Sequence, residues 1–198
     1  MTTQYIIQEK SLLNQEGAAL KLVGIAGSLV GEKTSQAVHE VLLAAKRINQ
    51  NIETELIDLK EYDVEFVRGA PLAYYNKDTW HVVNTMLAAD IIVFGTPVYQ
   101  ASITGALKNL LDHFPVDAFK EKVTGIVTTA GSHKHFLVSE YHLKPILTYL
   151  KGTVPTCSVF IHNDSFNDDN EIIDQDVNKR ITKLAEEMIT IKERNRIN

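Results

Sequence analysis

The chain has 198 residues, 44% of them hydrophobic and 23% charged, with a net charge of −5. That length and mix predict a globular domain with a sizeable core, and the mildly acidic balance leaves no electrostatic footprint for nucleic acid or an anionic membrane surface. The single cysteine, Cys157, excludes an internal disulfide and suits a reducing, cytoplasmic setting; its apolar neighbourhood makes it a buried, inert thiol.

Residues 1–20, MTTQYIIQEKSLLNQEGAAL, lack the basic start and apolar core of a secretion signal. No segment reaches the roughly 18 consecutive apolar residues of a membrane span. These residues read as an N-terminal arm ahead of a domain over residues 21–198. The arm carries two short apolar clusters, Tyr5-Ile6-Ile7 and Leu12-Leu13, and is either a loose tail or a segment packed on a neighbouring subunit.

From Lys21 onward, strand and helix signals alternate. KLVGIAG (21–27) is a short apolar run ending in glycine, and residues 34–48 place Val38, Val41, Ala45 and Ile48 on a helical stripe. IETELIDL (52–59) alternates like a strand, and a long loop with the turn signals RGAP and YYNKD follows. Residues 78–88 predict a short helix and DIIVFG (90–95) a buried strand. Residues 103–114 put Ile103, Ala106, Leu107, Leu110, Leu111 and Phe114 on one helical face. KVTGIVTTAG (122–131) is a fourth strand; residues 136–150 are helical in pattern, with Pro145 inside as a candidate kink. CSVFI (157–161) is a fifth strand, and Ile173, Val177, Ile181, Leu184, Met188 and Ile191 mark a closing helix.

Five apolar strands, each followed by a helix, imply an α/β fold whose parallel sheet is covered on both faces. Right-handed crossovers favour the doubly wound, flavodoxin-like strand order 2-1-3-4-5. Ligands in such sheets sit beyond the carboxyl ends of the strands, which directs attention to the loops after strands 1, 3 and 4.

The first of these, AGSLVGEKTSQA (26–37), brings the hydroxyls of Ser28, Thr34 and Ser35, with Gln36, to a helix start. It suits an anion such as a monophosphate, with Lys33 nearby; simple N-capping by Thr34 or Ser35 explains the same residues. The second is GTPVYQASITGALKNLLDH (95–113). Here Pro97 fixes the backbone direction, and Val98, Tyr99, Gln100, Ala101 and Ser102 offer exposed backbone and one flat aromatic, a surface for a heteroaromatic ring. An ordinary turn with Tyr99 packed on the protein is the alternative. The third, TTAGSHKH (128–135), offers Thr129, Ser132 and His133 among small residues. Its histidines lack a second ligand cluster, so no metal site is expected there and a solvated loop accounts for them.

TPVYQASITGALKNLLDHFP resembles the T-P-x-Y-x-x-S-x-x-G-x-L-K-x-x-L-D motif of NAD(P)H-dependent FMN reductases, closest to the flavin reductases of two-component sulfonate monooxygenase systems. The resemblance covers roughly residues 21 to 165. It includes VSEYHLKPILTYLKG (138–152), where Tyr141 matches an extra tyrosine of that subgroup. It implies FMN and NAD(P)H as cofactors. Ser28, Thr34, Ser35 and Gln36 would hold the phosphate; Pro97, Val98, Tyr99, Gln100 and Ser102 would line the ribityl chain and ring; Thr129, Ala130, Gly131 and Ser132 would flank the other side of the ring. Val30 stands where the family usually has arginine, with Lys33 as the substitute point charge.

The resemblance further implies a homodimer or homotetramer with the subunit contact near the flavin. The candidates for that contact are Phe66, Tyr74 and Tyr75 and the helix bearing Tyr141; partial burial of these aromatics within one subunit is the alternative. It implies reduction of FMN by NADPH or NADH, with the product passed to a partner monooxygenase, and it nominates no catalytic acid or base. The alternatives are a quinone, azo or nitro reductase that retains its flavin, and a flavodoxin-type electron carrier. A dinucleotide-binding dehydrogenase is disfavoured because Asp58 has no glycine fingerprint upstream.

Overall fold

A computed structural model describes residues 19–197. The expected N-terminal arm falls, apart from its last two residues, outside the described residues. The sheet has five parallel strands in the order β2-β1-β3-β4-β5: β1 Lys21–Ala26, β2 Glu53–Asp58, β3 Ile91–Pro97, β4 Val123–Ala130 and β5 Val159–His162. The connecting helices are α1 Lys33–Ile48, α2 Lys77–Leu87, α3 Gly105–Leu111, α4 Lys144–Tyr149 and the closing α5 Gln175–Ile197.

Position in the sheet explains the strand patterns. The inner strands β3 and β4 are buried along almost their whole length, whereas the edge strand β5 alternates and β2 is exposed at its start. Leu22, Val93 and Val127 pack with Val38 and Val41 of α1 and Leu184 and Met188 of α5 on one face. On the other, Phe94 and Ile126 pack with Val82 and Met86 of α2, Leu107 and Leu110 of α3, and Phe119. Each fully buried side chain of this size contributes roughly 1.5–3 kcal/mol of transfer free energy.

Two glycines let α1 approach the sheet closely. A Cβ on Gly24 would fall 2.5 Å from Val38 Cγ1, and one on Gly95 would fall 2.3 Å from Val38 Cγ2. The start of α1 is thereby pressed against the upper ends of β1 and β3.

Helix ends follow their caps. The Asn76 side chain accepts from the Thr79 amide and starts α2, and Thr104 accepts from the Leu107 amide and starts α3. The apolar stripe expected to run helically to Phe114 leaves the helix at Leu111, and Phe114 instead packs against Phe119, its ring tilted by 52° with centroids 5.1 Å apart. Residues 136–150 are not one kinked helix. A π-helical turn, Ser139–Leu143, precedes α4, and Pro145 sits in the first turn of α4, where its missing N–H costs nothing. At the opposite end of the sheet from these loops, Lys122 Nζ donates to the carbonyls of Leu87 and Ala89 at 2.7 and 2.6 Å. Burial pushes the pKa of that amine below the usual lysine value.

Candidate functional site

Beyond the carboxyl ends of β1, β3 and β4 the chain forms an open cleft of about 270 Å³. It is lined by Ser28, Val30, Gly31, Glu32, Lys33 and Thr34 from the first loop, Pro97, Val98 and Tyr99 from the second, Thr129, Ala130 and Gly131 from the third, and Asn163 and Asn170 beyond β5.

Hydrogen bonds stitch these loops together. The Gly27 amide donates to Gly95 O at 2.8 Å, so β1 and β3 stay joined past the end of β1. Thr104 Oγ1 donates to Gly27 O at 2.5 Å while capping α3. The Val98 amide donates to Thr129 O at 2.9 Å, and the buried hydroxyls of Thr34 and Thr129 lie 2.9 Å apart. With the first two loops tied at both ends and the third at its start, the cleft is formed before any ligand enters, which lowers the ordering cost of binding.

In the first loop, Ser28 Oγ donates to Val30 O at 2.7 Å and accepts from the Val30 amide at 3.3 Å, folding the chain back on itself. Gly31 takes the left-handed conformation, φ +76°, that the reversal into α1 requires. Neither Thr34 nor Ser35 caps α1. The cap position is Glu32, and no side chain satisfies the first-turn amides. Those amides, together with the positive end of a 16-residue helix, suit a phosphate.

The second loop is a two-residue hairpin. The amides of Tyr99 and Ser102 each donate to the other's carbonyl at 3.0 Å, around Gln100 and Ala101 at φ 48° and 59°. Tyr99 is half-exposed at the cleft and not packed away in the core. Ser102 turns to the far side of the hairpin, where its Oγ lies 3.1 Å from His142 Nδ1.

Of the residues singled out from sequence, Ser28, Thr34, Pro97, Val98, Tyr99, Thr129, Ala130 and Gly131 meet at the cleft. Ser35, Gln36, Gln100, Ser102 and Ser132 do not line it. Gln36 Nε2 donates to Glu40 Oε1 at 3.3 Å, and Ser132 accepts from the Lys134 amide at the head of a short turn. Val30, Gly31, Glu32, Lys33, Asn163 and Asn170 are additional lining residues. Asn163 was legible in principle, since the loop after β5 opens on the same sheet edge as the other three. His133, expected in a solvated loop, stacks on His162 with centroids 4.0 Å apart, joining the loop after β4 to the end of β5. Cys157 is half-buried, and burial raises its pKa.

The loop after β2 is rigidly held against α3. Glu65 accepts from Arg68 Nη1 at 2.5 Å and from the Asn76 amide, and its carbonyl accepts from His113 Nε2 at 2.9 Å. Asn109 Oδ1 accepts from the Val67 amide at 3.1 Å, and the Arg68 guanidinium lies 4.6 Å over the Tyr75 ring. This frame leaves Phe66 79% and Tyr74 73% exposed.

A doubly wound parallel sheet with a phosphate-ready helix start, an aromatic loop and a small-residue loop at its switch point defines a flavodoxin-like mononucleotide-binding protein. Residues 20–166 match the family model described as NADPH-dependent FMN reductase. The chain is 45% identical over 170 residues to the NAD(P)H-dependent FAD/FMN reductase of Geobacillus thermodenitrificans, covering 86% of this chain and 92% of that protein. It is 29% identical over 145 residues to the NADH-dependent FMN reductase SfnE of Pseudomonas putida, covering 71% and 76%. The crystal structure of the apo form of an NADH:FMN oxidoreductase, EMOB, superposes with a TM-score of 0.71 at 25% identity over 86% of this chain and 90% of that one. The chain belongs to the NADPH-dependent FMN reductase family. It is accordingly an enzyme, an NAD(P)H:FMN oxidoreductase with FMN and NAD(P)H as its cofactors, which sets the electron-carrier alternative aside. No helix among the described residues is long and apolar enough to cross a membrane.

Proposed function

We propose that FMN occupies the cleft above β1, β3 and β4, is reduced there by NAD(P)H in the cytoplasm, and leaves as reduced flavin for a partner monooxygenase. The observation that carries this reading is the set of hydrogen bonds joining Gly27, Thr34, Gly95, Val98, Thr104 and Thr129, which builds one cleft from three separate loops. Bound FMN would supply the hydride acceptor, and NAD(P)H the hydride. The chain's own part is binding and orientation. The amides opening α1, with Ser28 beside them, hold the phosphate; Pro97, Val98 and Tyr99 give the ring an apolar and aromatic wall; Thr129, Ala130 and Gly131 allow close approach on the other side. A Cβ on Gly131 would press within 3.3 Å of Asn163 Nδ2, so a larger residue there would require the Asn163 side chain to shift. Ser35, Gln36, Gln100, Ser102 and Ser132 then act on the loops' shape and not on the ring.

A second copy of the chain completes the site in this reading. Phe66, Tyr74 and Tyr141, the last 72% exposed on the π-helical turn, are large apolar groups held at the surface. Light scattering is expected to give a dimer or tetramer.

The decisive test follows absorbance at 340 nm with purified protein, each nicotinamide cofactor, and FMN added or withheld. Oxidation is expected to require added FMN, and gel filtration is expected to strip the flavin. Flavin retained through gel filtration, with ping-pong kinetics on quinones or azo dyes, would overturn release in favour of a resident prosthetic group. Replacing Tyr141 by Ala is expected to change the fraction of FMN retained.

A further inference from the structure

Glu32 places a carboxylate at the very position where the phosphate reading needs a positive end. It is the cap residue of α1, it lines the cleft, and its side chain makes no bond to the helix amides. Left free, an acidic side chain there would satisfy the first-turn amides itself and repel a dianion. It is not free. Lys60 Nζ lies 2.6 Å from Glu32 Oε2 and 3.2 Å from Asp58 Oδ2.

Asp58 is the anchor of this arrangement. It is buried at the end of β2, and its Oδ1 also accepts from the Lys60 amide at 3.3 Å. The short turn Leu59–Glu61 thus aims the lysine across the gap between the β2 and β1 loops toward the head of α1. The other cation of the loop, Lys33, is placed differently, with its Nζ 3.5 Å from Asn163 O and 5.4 Å from the Phe166 ring centroid. Lys60 is therefore the group positioned to neutralise Glu32.

We propose that Lys60 is a positioning residue for FMN: it draws the Glu32 carboxylate away from the amides that open α1 and keeps them available to the phosphate. The inference rests on the phosphate reading above. Lys60 does not touch the phosphate in this scheme; it acts through Glu32.

The test compares dissociation constants for FMN and riboflavin, which differ only by the phosphate, by quenching of flavin fluorescence. Wild-type protein is expected to prefer FMN; equal affinities would overturn the phosphate reading and this proposal with it. Lys60→Met is expected to weaken FMN roughly five- to tenfold at low salt and leave riboflavin unchanged. An unchanged FMN-to-riboflavin ratio in Lys60→Met, in a wild type that does discriminate, would overturn the proposal alone. In the double variant Glu32→Gln, Lys60→Met, FMN affinity is expected to return to within about twofold of wild type. Persistent weakness there would overturn the proposal, since Lys60 would then act other than through Glu32, by meeting the phosphate or by neutralising Asp58. Glu32→Gln alone, a surface change that keeps Lys60 on Asp58, is expected to bind FMN at least as tightly as wild type; a loss comparable to that of Lys60→Met would overturn the proposal even if that lysine variant failed to fold.

Discussion

The hydroxyls of Thr34 and Thr129 meet at 2.9 Å, both buried, across 95 residues of sequence. One stands at the start of α1 and the other near the end of β4, so a single bond fixes the loop after β1 relative to the loop after β4. Replacing Thr34 by Val keeps the volume but strands the Thr129 hydroxyl, and is expected to cost about 1–3 kcal/mol in chemical denaturation. The double Val variant should recover much of that loss, because neither buried hydroxyl is then left alone. Additive losses in the cycle would show that the pair does not interact.

Gly95 lies where β3 passes beneath α1. Gly95→Ala drives a methyl into Val38 Cγ2 and is expected to destabilise by about 1–3 kcal/mol, with weaker FMN binding because the head of α1 must lift. Adding Val38→Ala should restore part of the stability. A Gly95→Ala protein with wild-type denaturation midpoint would contradict the close packing described.

Thr128 is fully buried on β4, and its Oγ1 has no hydrogen-bond partner among the described residues. Thr128→Val removes an unsatisfied polar atom at nearly constant volume. It is expected to stabilise by about 1 kcal/mol, raising Tm by about 2–4 °C in calorimetry. A fall in Tm would show that the hydroxyl has a partner after all.

The Glu65 carboxyl is held below the usual carboxylate range by its bond from Arg68, then by the Asn76 amide. A depressed folded pKa means that this anchor is fully present above the unfolded value of about 4.3 and is lost as pH falls through the lower folded value. The amide resonance of Asn76 is expected to titrate with a midpoint below about 4.3, and Arg68→Ala should move that midpoint upward. A midpoint at or above the ordinary carboxylate value in the unaltered protein would refute the assignment.

The sheet was legible because burial on both faces writes itself as uninterrupted apolar runs, as in Ile91–Phe94, and parallel crossovers leave few ways to arrange them. The cleft was legible for the same reason: once β1, β3 and β4 sit side by side, the loops holding Ser28, Tyr99 and Thr129 must converge. What the sequence hid depends on side-chain direction or on distance along the chain. Ser102 and Gln36 carry the right chemistry but point elsewhere, toward His142 and Glu40. The contact between Glu32 and Lys60 joins residues 28 apart and has no local signature. The π-helical turn at Tyr141 shares its apolar spacing with an ordinary helix, so periodicity could not reveal it.

At the tip of the Tyr99–Ser102 hairpin, Gln100 and Ala101 occupy a geometry that Asn-Gly adopts with ease and that burdens ordinary side chains by roughly 1 kcal/mol or more each. The backbone reversal and the identity of its two tip residues are thus independent design variables. A graft of Asn-Gly at that tip would keep the paired amides of Tyr99 and Ser102 while relaxing the turn, which makes it a natural starting point for hardening the reductase as a biocatalyst without rebuilding the side of the cleft lined by Pro97, Val98 and Tyr99.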